Sequence, residues 1–367
     1  MTIESAGTPS RYDELVATVK SLFEVTDQHM REDGSIEFEV GQTATLKKNF
    51  ETLISRLKQQ GYIGLLRRSG DHIVLRVGVV DNAEKKGRRI PIPYILFAVT
   101  IVTISIDGLL RTPSIPGYDL NKTVLLYTVA VMGIIGLHEL GHKVASAKHG
   151  MRSSLPYFIP GVPTVLPTFG AFISTRDPPV NRDSLFDLGI SGPLAGLAVT
   201  LVVGVVGALT SAVVPEGVAA SIGAQNVKVD AFTDFVINLF ANSPKGSVTI
   251  LSPLAFAATL GFLITFLNLM PAWQLDGGHI AGAALTRTQH KVATYLSIII
   301  LFTLGFTVMA LLVLVLSLQT PEAHPLDEVS QLSRGRRLLF VAVIALAIIL
   351  YAATIMNNPF FALNLNL

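Results

Sequence analysis

The stretch TVLLYTVAVMGIIGLHELGHKVASA, residues 123–147, carries the reading of the fold. Coiled as an α-helix at about 1.5 Å per residue, it is longer than the roughly 30 Å hydrocarbon core of a bilayer. It is apolar up to Leu137 and then places His138, Glu139 and His142 within the same run. Each ionisable group costs about 2.5–3.5 kcal/mol to insert at the centre of a membrane helix, so such residues mark function there. On a helix, positions i and i+4 lie about 40° apart, and both imidazoles face one way, as two ligands of one zinc ion require. Glu139 is rotated about 100° from His138, which sets it beside the metal, where it can take a proton from metal-activated water. Gly141 leaves room for a close neighbour.

Working outward, the composition agrees with a chain that sits largely in lipid. Half of the 367 residues are hydrophobic and 15% are charged, with a mean hydropathy of +0.54; soluble domains carry about a quarter charged residues. The net charge of +2 gives no argument for nucleic acid, and with no cysteine any metal must be held by His, Asp or Glu. Apolar runs near 92–110, 123–147, 187–214, 250–271, 292–317 and 337–356 predict a polytopic α-helical membrane protein with about six transmembrane helices. The transmembrane part is expected over 92–356, with its core at 123–290, followed by a tail at 357–367.

Residues 1–80 read differently. Leu15, Val19 and Phe23 recur at helical spacing, 35–40 alternate at strand period, an amphipathic helix is expected over 43–60, and short strands follow at 63–68 and 73–79. This predicts a small soluble α+β domain. The basic linker 81–91 abuts the first run, and the opening residues lack a signal-peptide pattern, so the amino terminus is expected in the cytoplasm of a cell-membrane protein. Lys143, Lys148, Arg152, Arg176 and Arg182 then fall on the inner side, whereas Arg334, Arg336 and Arg337, with His324, fall on the outer side.

Two segments are neither regular spans nor ordinary loops. Residues 153–175 are apolar but hold prolines at 156, 160, 163 and 167, so an interfacial segment or a hairpin packed on protein is expected. Residues 216–249 read as an outer loop with a surface helix near 232–240. The fourth run ends GFLITFLNLMPAWQLDGGHI, 261–280. Pro271 should break it, and a broken helix at membrane depth is tolerated where it faces protein or a wet cavity. Asp276 at that break is either a third metal ligand or a helix N-cap. Asn268 is either a contact to substrate or an interhelical hydrogen bond.

HELGH in one span and NLMPAWQLDGG two spans later resemble the site-2 protease family of intramembrane zinc metalloproteases, over roughly residues 92–300. For residues 1–80 the nearest analogy is an archaeal-type member with a soluble amino-terminal part. The resemblance implies zinc ligands His138, His142 and Asp276, Glu139 as general base, and Asn268 as a substrate or oxyanion contact. It also implies a close-packing role for Ser191–Gly196 and a substrate-guiding role for 153–175. The implied partners are transmembrane protein substrates within the lipid bilayer, cut in regulated intramembrane proteolysis. A metal-ion transporter and an inactive scaffold are the alternatives; the first lacks an inverted repeat, and the second has no need of Glu139. His149, His279 and His290 read as solvated or capping residues, with His279 close enough to Asp276 to orient it. Asp107 reads as reaching the interface or pairing with Arg111.

Overall fold

In the computed structural model, residues 9–79, 91–112, 119–164, 166–215, 217, 231–240, 247–273, 275–319 and 324–355 are described. The linker and tail expected at 81–91 and 357–367 lie almost wholly outside them. The chain divides into two compact units. One comprises residues 1–88, 178–185 and 324–333, and the other comprises 89–177, 186–323 and 334–367.

The first unit is built from α1 (Pro9–Lys20), β1 (Val25–Met30), β2 (Ile36–Val40), α2 (Leu46–Gln60), β3 (Tyr62–Ser69) and β4 (His72–Val79). The strands form an antiparallel sheet in the order β1-β2-β4-β3. The helical spacing of Leu15, Val19 and Phe23 and the alternation of β2 and β4 deliver one core, with Phe38, Phe50, Leu53, Leu57 and Leu75 fully buried. Strand β1, VTDQHM, escaped the sequence reading because an edge strand with mostly exposed side chains shows no apolar alternation. Glu37 is buried beneath Arg76 and Arg31; burial pushes its carboxyl up, and hydrogen bonds and charge from the two guanidiniums outweigh that and hold it below its usual value.

This unit is not a contiguous stretch of chain. Edge strand β3 is extended by segment 326–328: the Leu66 amide donates to the Leu326 carbonyl at 2.9 Å, and the Glu328 amide to the Leu66 carbonyl at 3.2 Å. That segment pairs on its far side with 179–181, through Leu326 N–H to Pro179 O at 2.8 Å and Asp327 N–H to Val180 O at 2.9 Å. Leu326, 5% exposed, completes the core, flanked by Val180 and Val329. Lys47 pairs with Asp183 at 2.6 Å, and Asn181 donates to Glu51 at 2.6 Å. An open sheet edge presents unpaired amides and carbonyls, and these two segments satisfy them.

The second unit begins with α3 (Ile92–Arg111), α4 (Leu120–Lys148) and a hairpin of β5 (Tyr157–Val162) and β6 (Leu166–Phe172). The proline-rich run is therefore a β-hairpin, with a bulge between Phe158 and Pro160 where proline cannot continue the ladder. Its loop is tied to α3. Asp107, fully buried, accepts from the Thr164 amide at 2.6 Å and from the Arg111 guanidinium at 2.7 Å, and Tyr127 donates its hydroxyl to the same carboxylate. Asp107 thus pairs inside the helix pack rather than reaching an interface.

After α5 (Arg182–Leu209), whose first turn belongs to the other unit, β7 (Ala212–Pro215) pairs with β8 (Ser247–Ile250) around α6 (Ala231–Phe240). Then come α7 (Pro253–Leu269), α8 (Asp276–Ala284), α9 (Arg287–Thr303), α10 (Thr307–Gln319) and α11 (Arg334–Leu350). Among the described residues, α3, α4, α5 and α11 with its last turn are long and apolar enough to cross a membrane, while α7 and α10 are apolar but shorter. Four of the six expected spans meet this criterion among the described residues. The run 292–317 is not one helix: Gly305, at φ 85°, ends α9, with the Phe306 amide reaching back to the Leu301 carbonyl at 2.8 Å. Glycine adopts this left-handed conformation without a Cβ penalty, and the pattern is a Schellman C-terminus.

The ends of the helices correct the expected topology as well. Asp187 in α5 receives the Arg336 guanidinium of α11 and the His149 imidazole at the C-cap of α4. The C-terminus of α4, the turn of α5 that holds Asp187 and the N-terminus of α11 therefore lie at one end of the unit. Arg334, Arg336 and Arg337 share that end with Lys148 and Arg152. The interruption at Gly305 lets the chain return, and the basic residues collect on one side as the positive-inside rule demands.

Two outcomes follow. In sealed vesicles, Lys148→Cys and Gly335→Cys, both at exposed positions, should react with an impermeant thiol reagent from the same face and Gly217→Cys from the other; opposite labelling of 148 and 335 would restore a single crossing over 292–317. Leu326→Ala should destabilise the first unit by about 2–5 kcal/mol, read as faster hydrogen exchange of the β3 amides.

Candidate metal centre

Helix α4 starts at Asp119, whose carboxylate accepts from the Lys122 amide at 3.0 Å, and runs unbroken for 29 residues. Its interior carries His138, Glu139 and His142, each less than a tenth exposed. The helical i, i+4 spacing brings the two imidazoles together with their Nε2 atoms 3.1 Å apart. Asp276 reaches both, with Oδ2 3.1 Å from His138 Nε2 and Oδ1 3.2 Å from His142 Nε2.

What carries Asp276 there is the interruption between α7 and α8. Helix α7 ends at Leu269, Met270 is extended at ψ 131°, and the Ala272 amide donates to the Met270 carbonyl at 2.7 Å. Trp273 takes φ 42° and donates its amide to Thr294 Oγ1 at 3.0 Å. The chain then folds back so closely that a Cβ on Gly277 would overlap the Leu269 and Met270 carbonyls, and one on Gly278 the Trp273 carbonyl. Both glycines are needed for the close approach. Leu275, not Asp276, is the N-cap, so the capping alternative for Asp276 does not hold. Asp276 is the first helical residue, where the positive end of the helix dipole favours a carboxylate.

Helix α5 forms the wall behind the imidazoles. It runs antiparallel to α4, and its glycines repeat the i, i+4 spacing of the histidines: a Cβ at Gly192 would overlap the His142 ring, and one at Gly196 would press on His138 at 3.2 Å. Gly141 answers from α4, since a Cβ there would strike the Ser191 carbonyl. His142 Nδ1 lies 2.8 Å from the Leu188 carbonyl. A carbonyl can only accept, so Nδ1 carries a proton and the ring presents Nε2, the nitrogen that can serve as a ligand, to Asp276. Leu188 is the contact that sequence reading missed, and no residue type could have signalled a backbone oxygen.

The donor set fits a zinc ion. The Nε2 atoms of two histidines and the two oxygens of a carboxylate face each other across 3.1–3.2 Å. Facing one another at this distance, these groups call for a cation between them, a metal ion or a proton on an imidazole. Nitrogen and oxygen ligands at about 2.0–2.2 Å in a tetrahedral site stand about 3.3–3.6 Å apart, a little wider than the observed spacing. Glu139 brings a carboxylate oxygen within 4.8 Å of a ring nitrogen of both His138 and His142. Its Oε2 is buried with no hydrogen-bond partner among the described residues, and the Ile173 amide, just past β6, faces the carboxylate.

The remaining candidates divide. Asn268 sits in the last turn of α7, partly exposed, beside the Leu269 carbonyl on which Gly277 folds back. His149 is the C-cap of α4 and pairs with Asp187. His290 is buried rather than solvated. His279 lies one turn into α8, its Cβ close to Gly189 of α5.

Comparison with known proteins adds the family context. The profile of Peptidase family M50 matches residues 126–312. The chain is 27% identical over 256 residues to the "Probable zinc metalloprotease EGY1, chloroplastic" of Arabidopsis thaliana, covering 65% of this chain and 44% of that protein. It is 28% identical over 166 residues to the Arabidopsis EGY2 protein, covering 45% and 29%. Its identity to EGY2 of Oryza sativa subsp. indica is 27% over 230 residues, covering 60% and 41%. The chain thus spans less than half the length of these relatives. No solved structure matches.

Because a methyl group at position 192 would occupy the space of the His142 ring, Gly192→Ala should lower zinc affinity at least about tenfold, as disturbing outer-shell support does. Gly133→Ala on α4 meets nothing within 4 Å and should leave it unchanged. Chelator competition on the two purified variants checks both.

Proposed function

This chain belongs to peptidase family M50, and we propose that it is a zinc-dependent intramembrane protease that hydrolyses peptide bonds in or beside transmembrane segments of other membrane proteins. The observation that carries this reading is the convergence of His138, His142 and Asp276 on one point with Glu139 buried and half-unpartnered beside it.

In this reading His138, His142 and Asp276 would hold the ion, with the Leu188 carbonyl orienting His142. Bound zinc supplies Lewis acidity, which polarises a peptide carbonyl and lowers the pKa of water toward about 7. Glu139 accepts the proton of the attacking water and returns it to the leaving amine, a contribution of about 10²–10⁴-fold for general acid–base catalysis. Asn268 holds the peptide or its developing oxyanion through its amide. A helical substrate has its amides in internal hydrogen bonds, so a stretch must unwind before attack. The β5–β6 hairpin, whose far end leads to Ile173 beside Glu139, offers an extended edge on which such a stretch can lie.

The protein acts in a membrane, proposed here to be the cell membrane with the N-terminal unit in the cytoplasm. Cleavage there would release a soluble fragment of the substrate, the output of regulated intramembrane proteolysis.

Glu139→Gln separates catalysis from metal binding. Zinc content should stay near that of the parent protein while cleavage of a transmembrane substrate falls by at least about a hundredfold. His138→Ala, His142→Ala and Asp276→Ala should each lose most of the zinc. Asn268→Ala should keep the zinc and weaken turnover through lost positioning. Full activity in the Gln variant would remove Glu139 from the mechanism.

A further inference from the structure

The orientation of His142 depends on a backbone atom, the Leu188 carbonyl, and therefore on where α5 lies against α4. Three points of α5 touch the centre: Leu188 through its carbonyl, Gly192 against His142 and Gly196 against His138. They lie on successive turns of one helix face, so a slide of α5 displaces all three together. The tolerance is small. The Nδ1–carbonyl contact is 2.8 Å, and an outward shift of about 0.5 Å takes it past the usual N–H···O range of about 2.7–3.2 Å.

The residue next to Leu188 is Asp187, which is held from two sides. The Arg336 guanidinium grips it in a two-point fork, Nε to Oδ1 at 2.6 Å and Nη2 to Oδ2 at 2.6 Å. His149 Nε2 stands 2.9 Å from Oδ2. These partners come from the first turn of α11 and the C-cap of α4, the latter at the end of the helix that bears the metal-site histidines. A planar fork on a carboxylate sets both distance and orientation, which a single-point contact does not. None of the three side chains is fully exposed, at 20% for Asp187, 28% for Arg336 and 21% for His149, and none reaches the metal centre as a ligand.

We propose that Asp187, clamped by Arg336 and His149, is a positioning residue for the metal centre: it holds α5 in register with α4 so that the Leu188 carbonyl meets His142 and the two glycines meet the imidazoles. This rests on the zinc reading of the site. It assigns the C-terminal helix α11 a part in metal binding, although that helix supplies no ligand.

The test uses the full chain in detergent or nanodiscs, loaded with zinc and, separately, with cobalt. Asp187→Ala and Arg336→Ala should each lower zinc affinity by about 10–100-fold in chelator competition, the range for lost outer-shell support. The double variant should be no worse than the weaker single variant, because both break one clamp. Arg336→Lys keeps the charge and loses the fork, so it should fold as the parent does and still bind zinc more weakly than the parent. The visible bands of the cobalt-loaded protein should shift in all of these variants, since the bands report the geometry around the ion and not the stability of the fold. If the variants melt earlier without metal, yet the folded protein binds zinc with unchanged affinity and unchanged cobalt bands, the clamp is structural only and the proposal fails. If Asp187→Ala and Arg336→Ala do not fold, unchanged affinity and bands in Arg336→Lys and His149→Gln would overturn it equally. If the parent protein binds no zinc, the metal-centre reading itself fails and takes this inference with it.

Discussion

Two imidazoles and a carboxylate are packed facing one another inside a bundle of apolar helices, and the surrounding structure answers to that arrangement. Buried polar groups are costly unless each is satisfied. The Leu188 carbonyl accepts the Nδ1 proton of His142, the N-terminus of α8 favours the Asp276 charge, and His138, His142 and Asp276 converge on one point. The glycines follow from the same constraint. At 192 and 196 they let α5 approach closely enough to exclude other occupants, and at 277 and 278 they let the chain turn back after α7. A centre built this way has little slack, and its geometry is inherited from how the helices α4, α5 and α8 are held rather than from the ligands themselves.

Satisfaction of charge also explains features at the margin. Asp107 is carried into the helix pack because Arg111, Tyr127 and the Thr164 amide all reach it, and Arg111 in turn stands over the Phe256 ring at 3.8 Å. The result is that the loop of the β-hairpin is pinned to α3, while the other end of the hairpin lies by Glu139. In the first unit, edge strand β3 is covered by two short segments of chain drawn from far along the sequence, and Leu326 fills the core they border. Removing residues 1–80 would therefore expose these segments as well as remove a domain.

Much of this was legible in residue order. The i, i+4 histidines on a long apolar run predict their own juxtaposition, because helix geometry is local. Leu15, Val19, Phe23 and the alternation in β2 predict which faces are buried, because both periods are set by the backbone. Pro271 predicts a break, since its missing amide and its ring act on the turn that contains it. The prolines of 153–175 predict a non-helical segment for the same reason. What failed was of another kind. The run 292–317 looked continuous because Gly305 is tolerated in a helix, and nothing local distinguishes a tolerated glycine from one that takes φ 85° and ends it. The sidedness of Arg334, Arg336 and Arg337 inherited that error.

By itself, then, the sequence determined the ionisable residues that an apolar chain would have to shelter, the helix that presents them, and the places where regular structure must stop. Each depends on interactions within a turn or two of chain. Tertiary structure alone decided that Asp276 turns toward the histidines rather than capping a helix, that the Leu188 carbonyl orients His142, and that Gly192 and Gly196 form the wall behind them. It alone decided that Asp187, Arg336 and His149 meet, and that segments 179–181 and 326–328 complete a sheet begun more than a hundred residues earlier. These depend on which helices and strands become neighbours, a matter of packing across long separations that no local period encodes.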